Sequence, residues 1–72
     1  MDYELHSKIM RIRNLLKGYN ILVYTGNQLD DLTLMEMELD DLHEEKYMET
    51  AEYLEMKMQL RTAVRQLEAA SS

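Results

Sequence analysis

The sequence contains no cysteine and no proline, and only two glycines, Gly18 and Gly26, among its 72 residues. The absence of cysteine excludes a disulfide framework and a thiolate metal site. The longest run of aliphatic and aromatic residues is Ile21–Tyr24, which is too short for a transmembrane span or a secretory signal. These absences predict a cytoplasmic protein.

Helix-forming residues dominate the composition. Hydrophobic residues make up 46% of the chain, too many for a typical disordered acidic chain, although 31% is charged and the net charge is −6. Methionine, leucine, glutamate and alanine are all good helix formers. A chain of this length supports only a thin core, with net stability on the order of a few kcal/mol.

The first predicted helix covers residues 3–17. Its apolar residues recur at spacings of three and four, which places them on one face: Leu5, Ile9, Ile12 and Leu16. Gly18 and Asn20 are expected to end it, because both tolerate a positive φ. Ile21–Tyr24 is predicted to form an extended connector that packs its aliphatic side chains on the helices, since no second strand is available.

The second helix is predicted over residues 26–45, with two alternatives for its start. Thr25 followed by Gln28 matches a capping box, and Asn27 is a competing N-cap. Asp30 and Asp31 lie in the first turn, where their charges complement the helix dipole. The buried stripe of this helix is Leu29, Leu32, Met35, Leu39 and Leu42.

The third helix is predicted over residues 50–67, and residues 69–72 are expected to fray. Its stripe repeats at spacings of three and four: Tyr53, Met56, Leu60, Ala63, Leu67 and Ala70. Three amphipathic helices with short links predict an all-α, compact antiparallel three-helix bundle. It has a short extended connector between its first two helices and forms one domain over residues 1–72.

Charge is distributed unevenly along the chain. Residues 1–25 carry four bases against two acids, residues 26–50 carry nine acids against Lys46, and residues 51–72 carry three of each. Lys57, Arg61 and Arg65 form a basic row on the third helix, because they recur at a spacing of four. One interpretation is a solvated surface in which the acidic helix is neutralised by its neighbours. The other is a strip that binds a phosphate backbone.

A nucleic-acid site would combine the bases with tyrosine rings that stack on nucleotide bases. Its predicted residues are Lys8, Arg11, Arg13, Lys17, Tyr19, Tyr24, Lys57, Arg61 and Arg65. Because the net charge of −6 repels a polyanion, binding is expected to be local and strongly weakened by salt. The alternative for the two tyrosines is a structural role at the helix junction.

A few large apolar side chains fall outside the buried stripes, namely Leu34, Met37, Leu54 and Met58. Isolated exposed hydrophobic residues are normal, whereas a group of them indicates an interface. They support a second hypothesis, a protein-interaction module or homodimer in which the acidic second helix selects a basic partner.

The sequence offers little for catalysis or metal binding. It has no glycine-rich phosphate loop. Asp40 and His43 resemble half of a di-metal helical motif, but that motif needs two such pairs and two more carboxylates. A domain this small also has little room for a substrate pocket. We therefore predict no enzyme activity, no cofactor, no metal, no small-molecule substrate and no membrane partner.

Three segments carry a resemblance to a known family: Leu15–Lys17 with Tyr19, Tyr24–Leu29, and Leu34–Leu39. With their Tyr-Thr-Gly turn before an acidic, leucine-rich helix, they look like the YqgQ-like family of small bacterial proteins over most of residues 12–65. Asn27 and Glu49 stand where the family tends to have Asp, and Asn20 stands where it has Gly. The resemblance implies a three-helix bundle without catalytic residues. It also implies single-stranded nucleic-acid binding, which has been suggested for the family.

Overall fold

The structure, a computed structural model, describes residues 2–71. It consists of three helices, α1 (Tyr3–Gly18), α2 (Gln28–Glu44) and α3 (Thr50–Ser71), and residues 2–71 contain no β-strand. No helix in this range combines the length and the apolar character that a membrane-spanning segment requires. The predicted all-α three-helix bundle is confirmed.

Helix α1 has the boundaries and the buried face that its sequence predicts. The Asp2 side chain caps its start by accepting a 2.7 Å hydrogen bond from the Leu5 amide. Leu5, Ile9, Ile12 and Leu16 are all buried. Of the two residues predicted to end this helix, Asn20 takes the left-handed conformation, with φ of 64°. Its short polar side chain tolerates that conformation better than most.

Helix α2 begins two residues later than predicted, because Gly26 has a φ of 86° and lies outside the helix. Asn27 is the N-cap, and its side-chain oxygen accepts a 3.0 Å hydrogen bond from the Asp30 amide. The predicted capping box of Thr25 with Gln28 is therefore wrong. The Thr25 hydroxyl donates instead to Asp31, at 2.7 Å.

The core lies where the three apolar faces meet. Its fully buried members come mainly from α1 and α2, and α3 contributes only two: Leu5, Ile9, Ile12, Leu16, Val23, Leu32, Met35, Leu39, Leu42, Leu60 and Ala63. Two residues of the predicted stripes lie outside this set, since Leu29 is half-buried and Ala70 is exposed. Both lie near the outer end of a helix, where no neighbouring element covers them.

Helix α3 continues to Ser71, beyond the predicted end at residue 67. Residues 69–71 are therefore helical, their predicted fraying stays a prediction, and Ser72 lies outside the described residues. No glycine or proline follows Leu67 to stop the helix, and Leu67 itself packs against the core.

Helix α3 runs antiparallel to both other helices. His43, near the end of α2, is 3.0 Å from Thr50 at the start of α3. Glu36, earlier in α2, meets Arg61, which lies later in α3. Grooves between α1 and α3 are lined in the same reversed order, by Leu5 with Gln66 and by Leu15 with Glu52.

The connector, residues 19–27, carries the chain back along the bundle, so that α1 and α2 run parallel. The rings of Tyr19 and Tyr47 lie 5.7 Å apart just beyond the C-terminal ends of both helices. Helix α1 is about 24 Å long at 1.5 Å per residue, so the short connector must be nearly extended to return that distance. The predicted antiparallel order thus holds for α3 against each neighbour, whereas α1 and α2 form a parallel pair.

Candidate binding surfaces

The α2–α3 seam is a row of polar contacts along the outer side of these two helices. The Lys57 ammonium lies 2.7 Å from the Asp40 carboxylate and 3.7 Å from that of Glu36. The Arg61 Nε lies 2.8 Å from the same Glu36 oxygen. Two bases of the predicted basic row are therefore neutralised by acids of their own chain.

Tyr53 connects the ion pairs of the seam to His43. Its hydroxyl donates a short hydrogen bond to Asp40 and accepts a 3.0 Å hydrogen bond from Lys57. The imidazole of His43 stacks on the Tyr53 ring, with centroids 4.1 Å apart and planes 6° from parallel. Asp40 and His43 therefore serve the seam, and no group of three or more His, Asp and Glu side chains within residues 2–71 is arranged to hold a metal ion.

The seam also shifts the protonation equilibria of its charged groups. Hydrogen bonds to Asp40 and then to Tyr53 raise the pKa of Lys57. Burial acts to raise the pKa of Asp40, but hydrogen bonds from Lys57 and Tyr53 outweigh it and lower that pKa. Both shifts favour the charged forms, so the ion pair is intact across the neutral range.

A second buried charge, Asp31, fixes the connector to the bundle. The residue is only 5% exposed, and its side chain accepts hydrogen bonds of 2.7 Å from both the amide and the hydroxyl of Thr25. Arg13 lies 3.7 Å from Asp31 and also donates to the Val23 carbonyl. The Thr25 hydroxyl, and then its amide and Arg13, lower the pKa of Asp31 against the effect of burial.

This role of Asp31 was not predicted from the sequence, which assigned the residue only a favourable interaction with the helix dipole. The informative signal is Gly26, whose positive φ turns the chain so that Thr25 faces the first turn of α2. Arg13 is consequently occupied inside the fold and does not stand free for a phosphate.

The other predicted phosphate-binding residues do not merge into one groove. Lys8 pairs with Glu4 at 3.5 Å, one turn away on α1. Arg11 shares the α1–α3 groove with Glu52 and Glu55. The structure brings together Arg13, Lys17 and Tyr24 in a groove beside the connector, whereas Arg65 lies on α3 and Tyr19 lies against Tyr47.

The connector groove is a depression of about 310 Å³ between α1 and the connector, lined by Met10, Arg13, Asn14, Lys17 and Ile21–Tyr24. Val23 points into the core, whereas Leu22 is 77% and Tyr24 85% exposed. The expectations that the aliphatic connector residues all pack inward and that Tyr24 covers the junction are therefore wrong. Alternate residues of an extended segment point to opposite sides, so only every second one can be buried.

No carboxylate lines the connector groove. By contrast, the α1–α3 groove includes Glu52 and Glu55, and the groove at the end of the α2–α3 seam includes Glu36 and Glu68. Lys17 has no ion pair within residues 2–71. The connector groove is thus a cationic surface on an acidic protein.

Two outer faces carry the exposed Leu and Met residues. The acidic face of α2 consists of Asp30, Leu34, Met37, Asp41 and Glu44, all exposed and all on one side of the helix. The basic face of α3 consists of Leu54, Met58, Arg61 and Arg65. The acids of the first face and Arg65 of the second form no ion pair within the described chain. The two faces lie side by side, with the seam between them.

Comparison with known proteins identifies a family. The family model described as YqgQ-like matches residues 8–66, which include most of the three helices. No curated protein and no solved structure gives a significant match to the chain.

Proposed function

The chain belongs to the YqgQ-like family, and we propose that it is a non-catalytic interaction module whose partner is a second copy of the same chain. The observation that carries this proposal is the pair of neighbouring faces of opposite charge. Each has two large exposed apolar residues: Leu34 and Met37 on the acidic face, Leu54 and Met58 on the basic face.

The charges select how two copies meet. In a twofold dimer each contact occurs twice, so α2 of each copy can lie against α3 of the other. That arrangement brings the Leu and Met side chains together and sets Asp30 and Asp41 opposite the partner's basic face. The alternative, α2 against α2, would oppose two acidic faces and is disfavoured by like-charge repulsion.

The dimer requires no change within each copy. Asp30, Asp41 and Arg65 have no ion pair of their own within residues 2–71, so their pairing across the dimer breaks no contact of the fold. Methionine suits such a surface, since its unbranched side chain adapts to an irregular neighbour.

Sedimentation velocity over a range of concentrations tests the proposal. We expect a reversible dimer, and we expect Met37→Ser and Met58→Ser each to shift it toward monomer. Met10→Ser is the matched control, because Met10 is exposed on the connector side of the molecule. A wild-type protein that stays monomeric at all concentrations would overturn the proposal.

Single-stranded nucleic acid at the connector groove is the second candidate function. It is favoured by the coincidence of Lys17, an exposed Tyr24 ring and the absence of carboxylates in one groove. Titration of a labelled oligonucleotide at about 50 mM salt tests it. A low salt concentration is needed because the affinity rests on few phosphate contacts and falls as salt rises. No binding at that salt concentration would end this candidate.

We also propose that the protein acts in the cytoplasm. Small secreted domains generally depend on disulfides for stability, whereas this chain has no cysteine and relies on helix packing. Fractionation of cells that express the tagged protein checks this placement.

A further inference from the structure

The methionines within residues 2–71 differ widely in exposure. Met35 is fully buried in the core, and Met48 and Met56 are partly buried and pack against it. Met37 on the acidic face is 57% exposed and Met58 on the basic face is 61% exposed, which are the highest values among these methionines. A dissolved oxidant attacks a thioether only where it reaches the sulfur, so it reacts first with these two side chains.

We propose that Met37 and Met58 are a site of reversible oxidation by peroxide that controls self-association of the chain. This inference rests on the dimer proposed above. The methionine sulfur attacks one oxygen of hydrogen peroxide, the O–O bond breaks, and a sulfur–oxygen bond forms. The sulfur loses two electrons, and the departing hydroxide takes the proton of the attacked oxygen. Methionine and hydrogen peroxide thus become methionine sulfoxide and water.

Oxidation removes part of the apolar contact on which the proposed dimer depends. Each outer face presents one leucine and one methionine as its large exposed apolar residues, Leu34 with Met37 and Leu54 with Met58. Peroxide leaves the leucines unchanged and converts each methionine from an apolar side chain into a polar one. Burial of the added oxygen in an apolar contact is unfavourable, and each copy would bury the sulfoxides of both methionines. The oxidised chain is therefore expected to be monomeric.

The position of the two methionines makes the modification reversible without unfolding. Neither side chain belongs to the core cluster, and Met35 inside the core has no exposed surface for the oxidant to reach. In the oxidised monomer both sulfoxides stay on the outer faces, where a methionine sulfoxide reductase reaches them. Reduction returns the thioether while a dithiol becomes a disulfide and the oxygen leaves as water.

Hydrogen peroxide treatment of the folded chain, followed by peptide mass spectrometry and sedimentation velocity, tests the inference. We expect Met37 and Met58 to gain oxygen before Met35, and the dissociation constant of the dimer to rise at least about tenfold. A methionine sulfoxide reductase with dithiothreitol should restore the dimer. Oxidation of Met37 and Met58 should slow at protein concentrations at which the dimer forms. Oxidation of Met10, on the connector side, should not slow.

Leucine variants separate oxidation of the two faces from other effects of peroxide. The double variant Met37→Leu, Met58→Leu keeps apolar side chains but has no sulfur there, so it should dimerise and stay dimeric after treatment. If it does not dimerise untreated, each single leucine variant gives the same comparison with one sulfoxide fewer. Met10→Leu should respond to peroxide as the wild type does.

The possible failures of the two proposals are distinguishable. An untreated wild type that is monomeric overturns the proposed self-association, and this is seen before any peroxide is added. With a dimeric wild type, the inference is overturned if Met35 is oxidised as fast as Met37 and Met58, or if the fully oxidised protein stays dimeric. It is also overturned if circular dichroism shows that oxidation unfolds the helices, or if the leucine variants dissociate under peroxide as the wild type does.

Discussion

The α2–α3 seam and the connector groove both contain bases, but the two regions differ in whether those bases have a carboxylate partner. In the seam, Lys57 and Arg61 each meet a carboxylate of their own chain. In the connector groove, Lys17 meets none. The density of bases along the sequence therefore does not locate a binding surface. The candidates for such a surface are the charges that folding leaves without an intramolecular partner.

The largest expected contrast between the two regions is in packing. Leu60 is fully buried beside the seam, and Leu22 of the connector is mostly exposed. Leu60→Ala should lower the free energy of unfolding by about 2–5 kcal/mol, while Leu22→Ala should change it by less than about 0.5 kcal/mol. Chemical denaturation of both variants checks this. A large loss from Leu22→Ala would show that the connector packs more tightly than its exposure indicates.

The next effect concerns the attachment of the connector. Asp31→Ala removes the acceptor of two Thr25 hydrogen bonds and the partner of Arg13, so these donors lose their intramolecular partner and the connector loses its attachment to α2. We expect a clear drop in the melting temperature, smaller than that of Leu60→Ala. Asp30→Ala is the matched control, since the neighbouring Asp30 side chain is exposed. Equal melting temperatures for the two variants would contradict a structural role for Asp31.

The sequence predicts the helices well because apolar spacing and caps are local signals. The stripe from Leu5 to Leu16 and the Asn27 cap are examples. Partner choice among charged residues depends instead on which helices face each other. Arg13 of α1 meets both the Val23 carbonyl of the connector and Asp31 at the start of α2, and no local pattern contains these contacts.

The outward turn of Leu22 and Tyr24 has a similar explanation. A four-residue apolar run suggests burial of the whole run, but extended backbone lets only alternate side chains face the core. The hydrogen bonds that hold the connector could not be predicted from sequence either, because their partners come from α1 and α2.

A third effect is the pH dependence of the seam and of Asp31. The pKa values of Asp31 and Asp40 lie below their ordinary 3.8, so their contribution is present above that pH and is lost as pH falls through the lowered values. The pKa of Lys57 is raised above its ordinary 10.5, so its contribution is present below pH 10.5 and is lost as pH rises further.

Thermal unfolding across pH measures both limits. We expect the melting temperature to be constant between these two limits. Lys57→Met should reduce its fall at alkaline pH. Asp40→Asn should reduce its fall at acid pH, and the part of that fall that Asp31 causes should remain. An alkaline profile of Lys57→Met that matches the wild type would mean that the seam ion pair does not contribute to stability.

The smallest effect is expected at the exposed end of the seam. Arg61 pairs with Glu36 but its side chain is 62% exposed, so Arg61→Gln should cost only about 0–1 kcal/mol, and less in high salt. Arg65→Gln, which breaks no ion pair within residues 2–71, should leave the free energy of unfolding unchanged. Chemical denaturation at low and high salt measures both variants. A larger loss in the free energy of unfolding for Arg65→Gln than for Arg61→Gln would contradict these expectations.

Charge reversal across the two outer faces tests the proposed self-association most directly. Asp30→Lys alone and Arg65→Glu alone should each weaken the dimer in sedimentation velocity, because each places like charges opposite the partner. The double variant should recover dimer formation toward that of the wild type, since the opposed charges are exchanged together. A double variant as monomeric as the single ones, all remaining folded by circular dichroism, would contradict pairing of the acidic face with the basic face of a second copy.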